Sequence, residues 1–189
     1  MGSDWALFRK SKLSSLEEAT GKGLVDEEAI PLVSAINANP SLVTSSSCAG
    51  RIALLSVDEG KADATFFAKW HQPINFSEFK KKLESYKSEK PLWLRSEPFI
   101  LHVFAESTEE ADSFLQLVRK LGVKRGGIQQ LTPRVFIELI GTNSFSLPIY
   151  SGKKPLVSDE YLQQVVALAN DNLEKNAKML ERMRSALSK

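Results

Sequence analysis

The only cysteine of the chain lies in a short stretch of small polar residues. Three serines precede Cys48, and Gly50 and Arg51 follow it within three positions. Cys48 could therefore act as a nucleophile, as a metal ligand or as a small residue in a binding turn. A thiol becomes reactive in a positively charged neighbourhood, which Arg51 could supply. A lone cysteine between two strands is more often inert and partly buried.

The residues around Cys48, taken together, favour a turn that binds an anionic group. The hydroxyls of Ser46 and Ser47 and the amide of Cys48 are hydrogen-bond donors. Gly50 permits a backbone conformation that other residues resist, and the guanidinium of Arg51 pairs well with a carboxylate or phosphate. A serine-rich hairpin with Arg51 on a solvated face is the alternative that spacing alone leaves open.

The two histidines, His71 and His102, are the next candidates for chemistry. Either could pair with Cys48 as in a cysteine hydrolase. His102 lies between Ile100 and Phe104 in a predicted buried strand, so a hydrogen-bonded core histidine is the alternative. Zinc sites show ligands at close paired spacing, which one cysteine and two distant histidines lack, and no metal is expected.

Further polar candidates adjoin the predicted strands. Glu97 directly precedes one strand, where it could accept a proton or form a surface ion pair with Arg95. Lys69 and Trp70 lie at the end of another strand, where an indole is either a core residue or the floor of a pocket for a nucleobase.

Basic residues are clustered although the net charge of the chain is only +2. Phosphate contacts need local charge, so the clusters favour nucleic-acid binding, with solvated surfaces as the alternative. The clustered candidates are Lys80, Lys81 and Lys82 on one predicted helix, Arg125 in a loop, and Lys175, Lys178 and Arg182 on the last helix.

Helices and strands must alternate along the chain to position these residues. Two helices are predicted within residues 1–40, and the spacing predicts three more over 75–88, 108–121 and 159–187. Predicted strands cover 41–46, 51–57, 64–71, 98–105, 127–131, 134–140 and 145–150, with a hairpin turn at 58–61. Strands in groups of three indicate an α+β fold rather than a doubly wound parallel sheet. Because no Gly/Ser/Pro-rich linker divides the chain, residues 1–189 are predicted to form one domain.

The composition is that of an ordinary soluble protein, with 42% apolar and 25% charged residues. No signal-peptide pattern and no membrane-spanning apolar run is present, so we expect a cytoplasmic protein without a membrane partner. The oligomeric state does not follow from the sequence.

Five strings resemble, in order and spacing, the tRNA wybutosine-synthesising protein 3 family. They are TSSSCAGRIALL, FFAKWH, EPFILHV, SLPI and LVSDEYLQQVVALANDNLEKN, and the resemblance covers roughly residues 5–185. The KWH ending is similar to the archaeal, stand-alone branch. The resemblance implies a barrel-like α+β sheet built from two three-strand, two-helix repeats, with a long C-terminal helix.

The same resemblance implies an S-adenosylmethionine-dependent methyltransferase. Its substrate would be tRNA(Phe) bearing a wybutosine precursor, methylated on ring nitrogen N-4 of the tricyclic base 3′ of the anticodon. A non-catalytic RNA-binding module is the main alternative, and a Cys/His hydrolase is the third.

Each candidate residue then has an expected role. Proton acceptors are Glu97, His71 and His102. Residues that bind the cofactor are Ser46, Ser47, Cys48, Gly50 and Arg51. Residues that bind the tRNA are Lys69, Trp70, Lys80, Lys81, Lys82, Arg125, Lys175, Lys178 and Arg182.

Overall fold

The computed structural model describes residues 2–57 and 64–188. The helices in these ranges are α1 Gly2–Gly21, α2 Ile30–Ala38, α3 Phe76–Glu84, α4 Thr108–Lys120 and α5 Asp159–Leu187. The strands are β1 Leu42–Cys48, β2 Arg51–Ser56, β3 Thr65–Trp70, β4 Leu92–Glu97, β5 Ile100–Ala105, β6 Arg125–Gln130, β7 Val135–Ile140, β8 Phe145–Ser151 and β9 Lys154–Pro155. The helix predictions are confirmed. The predicted hairpin turn at 58–61 lies outside the described residues.

The strands form two antiparallel sheets, with orders β1-β5-β7-β6 and β3-β2-β4-β8-β9. The α+β class and the long C-terminal helix are confirmed, and the described strands close no barrel. Each predicted triplet is divided, because β1 and β2 lie in different sheets, as do β7 and β8. Strand β4 was not predicted. Its alternating burial ends just before Pro98, which separates it from β5.

The chain divides into two compact units, each assembled from separate chain segments. Unit 1 comprises Met1–Ala49, Phe99–Thr142 and Ala177–Lys189, and unit 2 comprises Gly50–Pro98 and Asn143–Asn176. The chain passes from unit 1 to unit 2 between Ala49 and Gly50. That residues 1–189 form one domain stays a prediction.

Unit 1 has its core on one face of the four-stranded sheet. Burial alternates along β5 and β7, so that one face of each strand is buried and the other half-exposed. Leu101 and Ile137 are fully buried there, together with residues of α2, α4 and the end of α5. Strand β5 is central in its sheet, as predicted. The sequence offers Ser107 or Thr108 as the start of α4, and the hydroxyl of Ser107 caps the helix by accepting a hydrogen bond from the amide of Glu110.

Unit 2 packs its five-stranded sheet against α3 and the first part of α5. Ile52 and Leu94 of the sheet and Phe79 of α3 are fully buried. Asn75 caps α3, since its side-chain oxygen accepts a hydrogen bond from the amide of Glu78 at 2.8 Å.

The sequence of the last helix predicts one apolar stripe, which the structure contradicts at one position. The predicted members are Leu162, Val166, Ala169, Leu173, Ala177, Leu180 and Met183. Leu173 and Leu180 are buried as expected, but Ala177 is exposed and Asn176 is buried beside it in sequence. With 3.6 residues per turn, a stripe that continues from Leu173 passes through either position 176 or 177. Because Asn176 is polar, the sequence favoured Ala177 as the buried residue.

None of the helices in residues 2–57 and 64–188 combines the length and the apolarity that crossing a bilayer requires.

Gly126 provides a test of the unit 1 sheet. Its φ of +100° is a conformation that favours glycine, and a Cβ there would lie 2.0 Å from the carbonyl oxygen of Glu138. We expect Gly126→Ala to lower the free energy of unfolding, measured by urea denaturation, by about 1–3 kcal/mol or more. Gly21→Ala is the matched control, because a Cβ there meets no heavy atom within 4 Å. Equal midpoints for the two variants would contradict the register of β6 and β7.

Candidate functional site

An ion pair fixes Arg51 and Glu97 on adjacent strands of unit 2. The two residues face each other in the β2–β4 register, and Nε of Arg51 donates to Oε2 of Glu97 at 2.5 Å. Arg95 Nη1 lies 3.4 Å from the other carboxylate oxygen. Cross-strand neighbours of opposite charge stabilise a sheet. Arg51 is therefore held by a carboxylate rather than presented as an isolated anion clamp, and Glu97 carries two cationic neighbours.

Strand β3, at the edge of this sheet, carries aromatic rings covered by cations. The guanidinium of Arg51 lies 4.8 Å from the ring centroid of Phe66, and Nζ of Lys69 lies 5.2 Å from the same centroid. Phe66 is 43% exposed. The next residue along β3 is Phe67, and Nζ of Lys82 lies 4.7 Å from the centroid of its ring. Such cation–π contacts hold the cations over the faces of the rings.

A concave surface of about 530 Å³ lies between β3 and α3 in unit 2. We call it the basic groove. It is lined by Phe67, Ala68, Lys69, Trp70, Glu78, Lys81, Lys82 and Ser85. Aromatic faces interleaved with lysines suit a single-stranded nucleic acid, because bases stack on the rings while phosphates pair with the ammonium groups.

Two of the predicted tRNA-binding lysines form ion pairs with carboxylates. Lys80 Nζ lies 2.5 Å from Asp159, and this hydrogen bond raises the pKa of Lys80 above its usual value. Lys175 lies 2.5 Å from Asp171, one turn earlier on α5. Neither residue lines the basic groove, since the groove-facing lysines of α3 are Lys81 and Lys82.

The remaining basic candidates lie in unit 1. Lys178 and Arg182 are exposed on α5. Arg125 begins β6 and donates from Nη1 to the carbonyl oxygen of Gly141 at 3.1 Å. The sequence grouped Lys175 with Lys178 and Arg182, but the first belongs to unit 2 and the other two to unit 1.

Unit 1 brings three polar side chains together across three adjacent strands. Ser46 Oγ lies 2.5 Å from Nδ1 of His102, and Nε2 of His102 lies 3.0 Å from Oε2 of Glu138. The side chains of His102 and Glu138 are 26% and 30% exposed, so they are partly shielded from water. His102 is thus hydrogen-bonded, as one interpretation of the sequence held, but it does not lie in the core.

The strand register explains this arrangement. His102 and Glu138 are direct partners in the β5–β7 pair. In the β1–β5 pair, Thr44 faces Val103 and Ser47 faces Leu101, so both Ser45 and Ser46 stand opposite His102. This is a β-bulge, in which one extra residue re-aims a side chain.

A cavity of about 230 Å³ in unit 1 adjoins the bulge, and we call it the serine cavity. Its lining combines aliphatic side chains with hydroxyls and one amine: Lys12, Ser15, Leu16, Ala19, Leu24, Val25, Val33, Ser45, Ser46 and Ser47. The Oγ of Ser47 is buried and has no hydrogen-bond partner among the described residues. A buried hydroxyl without a partner is unfavourable, so this one is suited to a ligand.

The predicted serine–cysteine turn is mostly strand. Ser46, Ser47 and Cys48 belong to β1, which extends two residues beyond its predicted end. Gly50, with a φ of +102°, lies in the short connection to β2. Cys48 faces Ile100 across the β1–β5 pair. His102 does not serve as its base, because both ring nitrogens are engaged by Ser46 and Glu138. His71 directly follows β3 in unit 2.

Sequence reasoning missed Glu138, Phe66 and Phe67 as site residues. Glu138 is the single charged residue in the apolar strand Val135–Ile140, a signal that could have identified it. The aromatic pair carries no such signal, because its exposure results from the position of β3 at the sheet edge.

Comparison with known proteins identifies the family. The family model described as Methyltransferase TYW3 matches residues 8–189. The chain is 33% identical over 185 residues to the tRNA(Phe) 7-((3-amino-3-carboxypropyl)-4-demethylwyosine(37)-N(4))-methyltransferase of Archaeoglobus fulgidus, covering 97% of this chain and 93% of that protein. It is also 31% identical over 183 residues to a Pyrococcus horikoshii protein with the same name, numbered 1. That match covers 95% of this chain and 93% of the relative.

Solved structures give the same picture. The structure of the PH1069 protein from Pyrococcus horikoshii superposes with a TM-score of 0.89 at 31% identity, covering 95% of this chain and 93% of that one. A hypothetical protein from Aeropyrum pernix gives a TM-score of 0.74 at 28% identity, covering 86% and 96%. The order of strings noted in the sequence, the match over residues 8–189 and the shared fold lead to one conclusion: this chain belongs to the TYW3 methyltransferase family.

Proposed function

We propose that this chain transfers a methyl group from S-adenosylmethionine to ring nitrogen N-4 of the tricyclic wybutosine precursor 3′ of the anticodon in tRNA(Phe). The observation that carries the proposal is the family match, which extends over residues 8–189 rather than over a fragment. The relatives are named for this reaction and are covered almost completely. We also propose that the enzyme is of the archaeal type, because the relatives named above come from Archaeoglobus and Pyrococcus. We propose a cytoplasmic location because the proposed substrate is a tRNA.

Part of the cofactor is proposed to bind at the serine cavity. When bound, S-adenosylmethionine supplies a methyl group on a positively charged sulfur. The aliphatic walls suit an apolar portion of such a ligand, and Ser45 and Ser47 offer hydroxyls to a polar portion. The unpartnered Oγ of Ser47 supports this placement. Cys48, Gly50 and Arg51 remain proposed cofactor residues from the family resemblance.

The chain's task in methyl transfer is mainly to position the reactants, since an in-line transfer needs no nucleophile on the protein. A base that takes the proton from the acceptor nitrogen adds to the rate. Among the three candidates, His102 has the best-defined surroundings, with a hydroxyl on one ring nitrogen and a carboxylate on the other. Glu97 is already paired with Arg51 and Arg95.

The tRNA is proposed to bind the basic groove. A base in an anticodon loop is unstacked at low cost and is recognised by stacking on aromatic side chains. Trp70 and Phe67 provide such faces in the groove, and Lys81 and Lys82 provide charge for the phosphates. Lys69 is oriented by Phe66. The same geometry would serve a non-catalytic RNA-binding module, so catalysis has to be tested separately.

Ser47 tests the cofactor site. Its hydroxyl is buried and makes no hydrogen bond within the described residues, so Ser47→Ala should not lower the free energy of unfolding. If the hydroxyl binds the cofactor, the variant loses one hydrogen bond, about 0.5–1.5 kcal/mol, and the Kd for S-adenosylmethionine rises about 2- to 12-fold. Isothermal titration calorimetry, in buffer with EDTA and no added metal, measures the Kd for S-adenosylmethionine of the wild type and of Ser47→Ala. The control variant is Ser11→Ala, at an exposed position. No binding by the wild type, with or without tRNA, would contradict the proposed cofactor.

Arg51 and Cys48 test whether the reaction needs a charge contact or a thiol. Methyl transfer requires no thiolate, so Cys48→Ala should keep most of the activity. Arg51→Ala removes a charge-assisted contact, typically about 1.5–3 kcal/mol, and should lower the rate about 10- to 100-fold. The assay is transfer of labelled methyl groups to tRNA(Phe) bearing the precursor.

Arg95→Ala is the matched control for Arg51→Ala, because Arg95 also contacts Glu97 but lies farther from it, at 3.4 Å. A folded but inactive Cys48→Ala together with a normal Arg51→Ala would reject the charge contact and favour thiol chemistry.

Lys81 and Lys82 test the basic groove. Each phosphate that a lysine neutralises releases counterions, so affinity for tRNA should fall steeply with salt. The double reversal Lys81→Glu/Lys82→Glu should weaken tRNA binding and reduce the salt slope by about one unit or more, while cofactor affinity stays unchanged. Lys120→Glu/Lys154→Glu makes the same charge change at exposed positions outside the groove. Equal salt slopes for both double variants would remove the groove from tRNA binding.

A further inference from the structure

A chain of hydrogen bonds crosses three strands of unit 1, from Ser46 on β1 through His102 on β5 to Glu138 on β7. The bulge supplies the first contact and the direct β5–β7 register supplies the second. Phe136 packs against the imidazole edge-to-face, with 5.2 Å between ring centroids, and so restricts the rotation of the ring. A hydroxyl, an imidazole and a carboxylate in this order form an arrangement that can hold or move a proton.

The carboxylate sets the direction of the hydrogen bonds. An ionised carboxylate only accepts, so the hydrogen in the 3.0 Å contact belongs to Nε2 of His102. In the neutral imidazole Nδ1 then carries no hydrogen and accepts from the hydroxyl of Ser46. With its own hydrogen committed to His102, Ser46 Oγ presents lone pairs rather than a donor. This differs from the role of anion donor that the sequence suggested for Ser46.

We infer that Ser46, His102 and Glu138 form a proton relay, in which Ser46 takes the proton of the acceptor nitrogen and Glu138 is the positioning residue for His102. The inference rests on the proposed function. Ser46 is the member of the relay that lines the serine cavity, so it is the one that a bound ligand can touch.

The proton balance of the relay is complete within the chain. A ring nitrogen that lacks its methyl group carries a hydrogen. As its lone pair forms the bond to the methyl carbon, the carbon–sulfur bond breaks and its electron pair stays on sulfur. The ring proton moves to Ser46 Oγ while the Ser46 proton moves to Nδ1 of His102. The resulting imidazolium is balanced by the Glu138 carboxylate, and the proton later leaves to solvent from the half-exposed pair.

The tautomer of His102 tests the positioning role without any substrate. The full chain contains two histidines, so His102→Asn identifies the His102 signals in a long-range ¹⁵N–¹H spectrum in alkaline buffer. We expect the hydrogen on Nε2 in the wild type and in Glu138→Gln, whose amide oxygen still accepts. Glu138→Ala should show a mixture of both tautomers. A wild-type hydrogen on Nδ1 would overturn the relay whatever the activity.

Steady-state kinetics test the catalytic role. Acid–base catalysis contributes roughly 10²–10⁴-fold to rates, so Ser46→Ala and Glu138→Ala should each lower kcat by about 10- to 100-fold with little change in KM for tRNA. The kcat of Glu138→Gln should lie between those of the wild type and Glu138→Ala. This variant keeps the tautomer of His102 but lacks the charge that balances the imidazolium. Asp112→Ala, which removes an exposed carboxylate from α4 of the same unit, is the control.

The outcomes separate the relay from the proposed function. An unchanged kcat in Glu138→Ala, in spite of a changed tautomer, would overturn the relay while methyl transfer stands. Absence of methyl transfer by the wild type, with the predicted tautomer present, would overturn the proposed function and with it the catalytic part of the relay.

Discussion

One extra residue in β1 determines the chemistry that unit 1 can offer. Without the bulge, a single serine would stand opposite His102, and every later residue of β1 would shift by one position and change its side of the sheet. With the bulge, Ser46 reaches the imidazole, and Ser47 is among the residues that line the serine cavity. The proposed cofactor contacts and the proposed proton relay therefore depend on the same local irregularity of the strand.

Unit 2 presents aromatic side chains on an edge strand, β3, whose pairing with β2 has a bulge of its own at Phe67. Among the described strands β3 pairs with β2 alone, and its Phe66 is exposed while Phe67 and Trp70 are partly buried against the core. The cations that cover them are anchored in the sheet and in α3: Arg51 by Glu97, and Lys82 by the helix itself. In the proposed complex with tRNA, a surface held in this way would lose little side-chain entropy on binding, which favours affinity.

The sequence predicted most elements but not the contacts between distant ones. A continuous apolar run after Pro98 identified β5, and Ser107 or Thr108 marked the start of α4, because both signals are local. The pairing of His102 with Glu138 depends on a register between strands that are far apart in sequence, and the bulge in β1 leaves no residue-type signature among three serines. The family resemblance supplied the reaction, but it assigned no role to Glu138.

The most direct measurement is to locate the methyl group that the chain transfers. Precursor-bearing tRNA(Phe) would be incubated with the protein and a donor carrying a deuterated methyl group, digested to nucleosides and analysed by fragmentation mass spectrometry. We predict one labelled methyl group on ring nitrogen N-4 of the tricyclic base, and none on tRNA that lacks the precursor. A label on the ribose or on another base, or no label while the tRNA and the donor are both bound, would contradict this prediction.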